Sequence, residues 1–194
     1  MDGAWLKEHF HEAYLLVKHM REFTDAASER QGLNFSLLAS AAEGVTGRMA
    51  MYDAEHLGKG HATSEKGFYT NSFHVPVTVP VGYREKTALE GPFHKLCNGG
   101  SITYVEFREM PSRNVQAVRE VVENAVAEDC SYIGINFPLD ACNDCGYTGR
   151  MNEECPICHG HHIKRLRRVS GYLAEESTFA AGKQKEMAHR LSHI

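Results

Sequence analysis

The sequence SITYVEF at residues 101–107 and the sequence SYIGINF at residues 131–137 are rich in β-branched and aromatic residues, which predicts two strands. Between them, apolar residues recur at helical spacing from Val115 to Val126, and Ser112 is a suitable N-cap. A strand, a helix and a strand at this spacing predict a right-handed βαβ unit with parallel strands. These residues therefore predict the α/β fold class.

Two more helices are predicted towards the ends of the chain. Apolar residues at helical spacing favour a helix over residues 5–30, and Gly32 is a plausible stop signal. A final helix is expected over residues 177–191, although Gly182 is unfavourable inside it.

Further strand signals are weaker. Residues 34–40 are a short strand candidate, and residues 43–67, rich in Gly and His, predict a loop with a short irregular element. Valine alternates with other residues over 73–81, which favours a strand. Pro76 and Pro80 restrict that strand to a sheet edge or an extended loop, because proline lacks the N–H that a central strand needs.

The composition is that of an ordinary globular chain. Of 194 residues, 42% are hydrophobic and 24% are charged, and the length suits one domain with a real core. The net charge of −4 gives no electrostatic reason to expect nucleic-acid binding. No apolar run approaches the roughly 18–20 residues of a membrane span. The charged, amphipathic N-terminus is unlike a secretion signal, so we expect a cytoplasmic protein.

Four of the six cysteines form two Cys-x2-Cys pairs, at Cys142 and Cys145 and at Cys155 and Cys158. Each pair supplies two thiolates from one tight turn, and four thiolates fill the tetrahedral shell of a structural zinc ion. An iron–sulfur cluster and two unrelated thiol pairs are the alternatives. Of the other two thiols, Cys130 is expected in the core, and Cys97 is expected either to be buried or to lie at a rim of the fold.

The run RRVSGYL at residues 167–173 follows the cysteines and places Gly171 between a basic, strand-like stretch and a tyrosine. A glycine in such a place is most often part of a turn. Together, however, the cysteine pairs and this run resemble the C-terminal end of the anaerobic, glycyl-radical ribonucleoside-triphosphate reductases. The resemblance extends along the chain, through KHMREF (18–23), GLNFSLL (32–38), AEG (42–44), YTNSFH (69–74) and GGSITYVE (99–106).

The resemblance implies a particular architecture. The chain would form part, the second half, of a ten-stranded α/β barrel built from two half-barrels, with a C-terminal zinc knuckle and a glycyl-radical loop. Residues 1–138 would be the partial barrel, residues 139–163 the zinc-binding knuckle, and residues 164–194 the glycyl-radical loop and C-terminal helix.

The resemblance also implies a chemistry. Gly171 would carry the radical, after a separate radical enzyme with S-adenosylmethionine and a 4Fe-4S cluster removes its α-hydrogen. The complete, homodimeric enzyme would reduce ribonucleoside triphosphates to deoxyribonucleoside triphosphates, with formate or a thiol system as reductant and with ATP binding. Tyr172 is expected to pack and fix the loop.

One departure from the family pattern is serious. The cysteine that becomes the thiyl radical in these enzymes lies far upstream, and neither Cys97 nor Cys130 has matching surroundings. The chain therefore looks like a C-terminal fragment or split subunit that needs the missing N-terminal part of the reductase. We expect an exposed apolar face where that part would pack.

Several polar groups are candidates for contact with the substrate or a partner. Asn71, Ser72 and His74 are possible substrate-binding residues, and a capped turn with a surface histidine is the alternative. The basic residues over 164–168 predict a solvated strand face or a docking site for the activating enzyme. Glu106 is a candidate buried partner for one of these arginines.

Two other functions are compatible with the same residues. A small glycyl-radical spare-part protein, which restores a reductase cut at its own glycine, would need no catalytic cysteine. A zinc-ribbon module that binds nucleic acid would use the same four thiolates, although the acidic net charge argues against it.

Overall fold

A computed structural model describes residues 7–40, 42, 44–58, 66–170 and 172–194 of the chain. The described residues form five α-helices and six β-strands. Their bounds are α1 Phe10–Gln31, α2 Val45–His56, α3 Tyr83–Leu96, β1 Thr103–Glu106, α4 Val115–Ala127, β2 Ile133–Asn136, β3 Leu139–Cys142, β4 Thr148–Gly149, β5 Ile163–Ser170, β6 Tyr172–Glu175 and α5 Ala181–His189. No described helix has the length and hydropathy needed to cross a membrane.

The predicted strand–helix–strand unit is present. β1 and β2 pair in parallel, from Thr103 opposite Ile133 to Glu106 opposite Asn136. α4 connects them, and its Val121 is fully buried in the core against the β1 side. The prediction that Ser112 caps α4 is wrong. Asn114 is the N-cap, since its side chain accepts the Ala117 N–H at 3.0 Å.

A second, four-stranded sheet carries the C-terminal half of the fold. Its order is β4-β3-β5-β6, and all its neighbouring strands are antiparallel. β3 contributes Cys142, and β5 runs directly towards Gly171, so one sheet joins the cysteine segment to the predicted radical loop. The α/β class is confirmed.

The loop predicted over 43–67 is wrong, because α2 occupies much of it. Glycines suggested the loop, but Gly47 serves helix packing. A Cβ at Gly47 would lie 2.9 Å from the Cα of Gly182 in α5, and one at Gly182 would lie 2.6 Å from the Cα of Gly47. Both glycines are therefore places where two helices meet backbone to backbone.

The segment over 73–81 adopts the extended-loop alternative, and no strand forms there. The N–H of Val79 donates to the carbonyl of Pro76 at 2.9 Å, which makes a turn. Val75 and Val81 are nevertheless buried, at 2% and 6% exposure, so the alternating valines reflect packing of a turn against the core.

α3 follows that segment and was not predicted, and Gly91 and Pro92 stand inside it. A Cβ at Gly91 would lie only 1.8 Å from the carbonyl oxygen of Glu128, at the end of α4. The glycine therefore lets α3 pack closely on α4 rather than ending the helix.

α1 begins at Phe10 and ends at Gln31, close to the predicted bounds, and Gly32 caps it in the left-handed conformation with a φ of 63°. Phe10 and Tyr14 pack edge to face on Phe93 of α3. The opposite side of α1 is uncovered among the described residues, and Leu16 and Phe23 there are 52% and 63% exposed.

Candidate metal centre and polar cavities

The four cysteines of the two predicted pairs converge. All their sulfur atoms lie within 4.8 Å of one another. The Sγ atoms of Cys142 and Cys158 are 3.5 Å apart, and those of Cys145 and Cys155 are 3.6 Å apart. Four sulfurs about 2.3 Å from one ion stand about 3.8 Å from each other in a tetrahedron. The group can therefore hold a single metal ion, whereas a disulfide needs sulfurs about 2 Å apart.

The backbone shapes each pair into a tight turn. The N–H of Gly146 donates to the carbonyl of Cys142, and the N–H of His159 donates to that of Cys155. Gly146 adopts a φ of 75°, which glycine tolerates without strain. The spacing of two residues between cysteines is what these turns require.

The Cys155 thiol is more acidic than a free cysteine. Burial acts to raise its pKa, but the N–H groups of Cys158 and Ile157 and the neighbouring thiols outweigh it and lower the pKa to about 7. At Cys158 the backbone N–H of Gly160 acts to lower the pKa of the thiol, but the neighbouring thiols and burial outweigh it and raise the pKa to about 12. A cation among these sulfurs would offset that effect, because metals bind thiolates.

The nearby histidines are engaged outside the sulfur group. His162 Nδ1 lies 2.9 Å from an Asp144 oxygen, and the hydrogen bond to that carboxylate raises the pKa of His162. His161 Nδ1 lies 2.8 Å from the Glu153 carbonyl.

Asp140 on β3 ties the cysteine segment to the strand that leads to Gly171. It is fully buried, accepts the Met151 N–H at 2.8 Å and binds the Arg167 guanidinium at 2.5 Å. Arg167 also lies 3.5 Å from a Glu176 oxygen. Arg167 is therefore an ordered structural cation and not part of a solvated strand face.

The predicted radical residue, Gly171, lies outside the described residues. On either side, β5 ends at Ser170 and β6 begins at Tyr172, and these two residues are paired across the strands. The expectation that Tyr172 packs is wrong for the described structure, in which it is 52% exposed.

Two of the three predicted substrate residues line one small cavity. Asn71 and His74 border a space of about 40 Å³, together with Tyr104 and Lys86. Ser72 is exposed, has a φ of 49° and is not among the lining residues. A space of this size accommodates water or one small chemical group.

A buried carboxylate organises the wall of this small cavity. Glu90 of α3 is fully buried and binds Lys86, the Val75 N–H at 2.8 Å and the Thr103 hydroxyl at 2.7 Å. His74 Nδ1 lies 3.2 Å from the same carboxylate. Burial alone would raise the pKa of Glu90, but Lys86 and His74 outweigh it and hold the pKa far below its usual range. Glu90 is therefore a permanent anion that orients His74.

The C-terminal segment closes the other side of the cavity. Arg190 binds Glu106 of β1 at 2.5 Å and Glu186 of α5 at 2.6 Å. Glu106 is thus the buried partner of an arginine, as expected, but that arginine is Arg190 and not one of the basic residues over 164–168. His193 then caps β1, since its N–H donates to the Glu106 carbonyl and its Nδ1 accepts the Glu106 N–H at 2.9 Å.

We expect the stability of the protein to fall with acidification below about pH 6.5. Burial, with the charges of Lys86 and Arg190, outweighs Glu90 and lowers the pKa of His193 to about 3. Its Nδ1 accepts an N–H, so the folded state keeps the ring neutral. In the unfolded chain, His193 binds its proton near pH 6.5. The contribution of the neutral ring to the free energy of unfolding is therefore complete above that pH and is lost progressively as the pH falls towards 3. At pH 5 the loss reaches up to about 2 kcal/mol.

Urea unfolding of the wild type and of His193→Asn at pH 7.5, 6 and 5 measures this effect. Asn keeps an acceptor for the Glu106 N–H but does not titrate, so the stability difference between the two proteins should shrink as the pH falls. A difference that stays constant over this range would contradict the assignment.

The chain is similar to anaerobic reductases along nearly its whole length. The family described as anaerobic ribonucleoside-triphosphate reductase matches residues 4–193. The anaerobic ribonucleoside-triphosphate reductase of Enterobacteria phage T4 is 37% identical over 90% of this chain and 30% of its own length. The Escherichia coli enzyme of the same name is 34% identical over 92% of this chain and 26% of its own length.

Solved structures agree in fold. A structure titled anaerobic ribonucleotide reductase has a TM-score of 0.77 at 19% identity, covering 94% of this chain and 29% of its own. The Thermotoga maritima anaerobic ribonucleotide reductase with glycerol in the active site has a TM-score of 0.70 at 20% identity, covering 97% of this chain and 30% of its own. This chain thus spans less than a third of the length of these relatives. By its family match and its identity to two such reductases, the chain belongs to the anaerobic ribonucleoside-triphosphate reductase family.

Proposed function

We propose that this chain is the C-terminal, glycyl-radical part of an anaerobic ribonucleoside-triphosphate reductase. The complete enzyme reduces ribonucleoside triphosphates to deoxyribonucleoside triphosphates by radical chemistry. The observation that carries the proposal is the family match over residues 4–193, which includes RRVSGYL at residues 167–173. In this proposal, the chain forms the second half of the reductase barrel, the cysteine knuckle and the radical loop.

Gly171 is the proposed radical residue. A separate activating enzyme, with S-adenosylmethionine and a 4Fe-4S cluster, removes one of its two α-hydrogens. The electron that remains is shared with the flanking amide groups. Glycine suits this role because the absence of a side chain lets the carbon become planar without a clash. The neighbours of Gly171 in the sequence, Ser170 of β5 and Tyr172 of β6, are paired across the two strands.

The four clustered cysteines are the proposed zinc ligands. Their sulfur separations suit a tetrahedral ion, and four protein ligands leave no position for a substrate. When bound, zinc supplies folding energy to the segment between β3 and β5. We therefore assign it a structural role, with Asp140 transmitting that rigidity to β5.

Asn71 and His74 are the proposed substrate-facing groups. Glu90 holds His74 in place, and Asn71 is itself 8% exposed. The adjoining space of about 40 Å³ suits one group of a ribose rather than a nucleotide. We place Ser72 with them only as part of the same turn, since its side chain is exposed.

The proposal is tested by electron paramagnetic resonance after anaerobic incubation with the activating enzyme and S-adenosylmethionine. We expect a doublet, because one α-hydrogen remains on the radical carbon. Turnover of a ribonucleoside triphosphate should also require the remaining part of the reductase, which brings the thiyl cysteine. A chain that gives no radical under any of these conditions would refute the proposal.

The exposed apolar side of α1 is the proposed contact with the rest of the reductase. Leu15, Leu16, Met20 and Phe23 lie there, each between 46% and 63% exposed. Without that partner, we expect the chain to self-associate, because uncovered apolar surface drives association. Light scattering should show concentration-dependent oligomers for the wild type and fewer for Leu16→Glu.

Val115→Glu provides the matched control. Val115 is 74% exposed at the start of α4, away from this surface, so the same added charge should leave self-association unchanged. A wild-type chain that stays monomeric at all concentrations would rule out an unfilled apolar interface on α1.

A further inference from the structure

A second, larger cavity lies at the carboxyl ends of β1 and β2. It has a volume of about 480 Å³ and is bordered by β1, β2, β5 and the C-terminal segment. Five of its lining residues are arginines, at positions 108, 150, 167, 168 and 190. Ligand pockets occupy about 300–1,000 Å³, so this space is large enough for a small molecule.

Two of the five arginines are neutralised by carboxylates. Arg167 binds Asp140 at 2.5 Å and lies 3.5 Å from Glu176. Arg190 binds Glu106 and Glu186 at 2.5 and 2.6 Å. These pairs fix the wall of the cavity, and their charges are matched.

The other three arginines have no carboxylate within 4 Å among the residues that the structure describes. Arg108 donates to the Ser192 hydroxyl at 3.3 Å, and Arg150 donates to the Arg108 carbonyl at 3.3 Å. Arg168 is half-buried on β5, and its Nε is a buried donor without a hydrogen-bond partner. Since buried donors are almost always paired, the Arg168 guanidinium, which lines the cavity, lacks its full set of acceptors among the described residues.

We propose that Arg108, Arg150 and Arg168 bind a phosphate-bearing anion in this cavity. A guanidinium presents two parallel N–H groups that match two oxygens of a phosphate. A carboxylate brings two oxygens and one charge, whereas a phosphate or polyphosphate brings enough oxygens and charge for three guanidiniums. Anion binding by these arginines does not require the radical on Gly171, so the two proposals are tested independently.

The position of this cavity favours a ligand that extends from the three arginines towards the small cavity. Glu106, Arg190 and Leu191 line both this cavity and the small one that contains Asn71 and His74. The buried Glu106–Arg190 pair therefore borders both spaces. A phosphorylated ligand on the three arginines would therefore lie beside the small cavity.

Isothermal titration calorimetry of the full chain with tripolyphosphate tests the site. We expect saturable binding by the wild type. Arg168→Gln should lose at least about tenfold in affinity, because it removes a charged group that hydrogen-bonds the ligand. Arg150→Gln should also weaken binding. Arg150 is exposed, so that variant should keep its fold even if Arg168→Gln does not, and circular dichroism checks both.

Arg119→Gln is the matched control. Arg119 is exposed on α4 and pairs with Glu123, so its loss removes the same charge away from the cavity. Binding should be unchanged in this variant. An equal loss in Arg119→Gln, or no binding by the wild type, would overturn the proposal.

The source of the phosphate is distinguished by the ligand series. Inorganic phosphate, tripolyphosphate, adenosine triphosphate and adenosine are titrated under the same salt conditions. Tighter binding of adenosine triphosphate than of tripolyphosphate identifies a nucleotide, and equal affinities identify the phosphate chain alone. Binding of adenosine with the same affinity as the triphosphate would exclude the arginines as the recognition element.

Discussion

Replacement of Gly171 by Ala is expected to abolish the radical signal completely. The α-carbon must become planar to share the unpaired electron with its flanking amides, and a methyl group opposes this and crowds the loop. In the wild type, activation followed by exposure to air should cut the chain near Gly171 and leave a fragment that lacks β6 and α5. Spectroscopy and mass spectrometry of the fragments measure the two effects together.

Gly82→Ala is the control for this experiment. Gly82 has a φ of −76°, which alanine adopts freely, and a Cβ there meets no atom within 4 Å. That variant should keep the full doublet and the oxygen-dependent cut. If Gly171→Ala retained both as well, the radical would reside on another residue and the proposed function would lose its main support.

The sequence predicted those parts of the fold in which local pattern and tertiary packing agree. The apolar periodicity over 115–126 and the β-rich stretches on either side correspond to α4, β1 and β2. Gly32 ends α1 because its left-handed conformation is a local property of the residue. The cysteine spacing predicted a metal site for the same reason, since each Cys-x2-Cys turn is formed locally.

Other elements were mispredicted because a residue served a distant contact. The glycines over 43–67 favoured a loop, and no helix was predicted around Gly91, yet Gly47 and Gly91 each permit one helix to approach another. Such contacts are set by elements far apart in the chain and leave no local signal.

The buried polar network was also invisible in the sequence. Lys86 and Glu90 stand four residues apart, a spacing common on exposed helices, and only the fold shows that both are buried. Arg190 and His193 reach β1 across more than eighty residues of sequence. The spacing of Lys86 and Glu90 would have suggested the first contact on a helix, but no helix was predicted there, and nothing in the sequence indicated the second contact.

Replacement of Cys155 by Ser is expected to release the metal and unfold the segment between β3 and β5. Cys155 is fully buried, and the backbone N–H of Ile157 donates to its sulfur. Structural zinc in small sites contributes roughly 10–16 kcal/mol of apparent binding free energy, far more than the hydrogen bonds of such a short segment replace. The zinc content measured by elemental analysis should fall from about one ion per chain to almost none.

The same variant should lower the yield of the glycyl radical. β3 pairs with β5 from Leu139 to Cys142, and Asp140 joins the cysteine segment to Arg167. Loss of the metal would therefore loosen the strand that leads to Gly171. Cys97→Ser is the control, because Cys97 is buried outside the cluster and its loss should leave both zinc and radical unchanged. Full zinc content in Cys155→Ser would exclude this thiol as a ligand. Full radical yield in a zinc-free chain would show that the metal is not needed to position the radical loop.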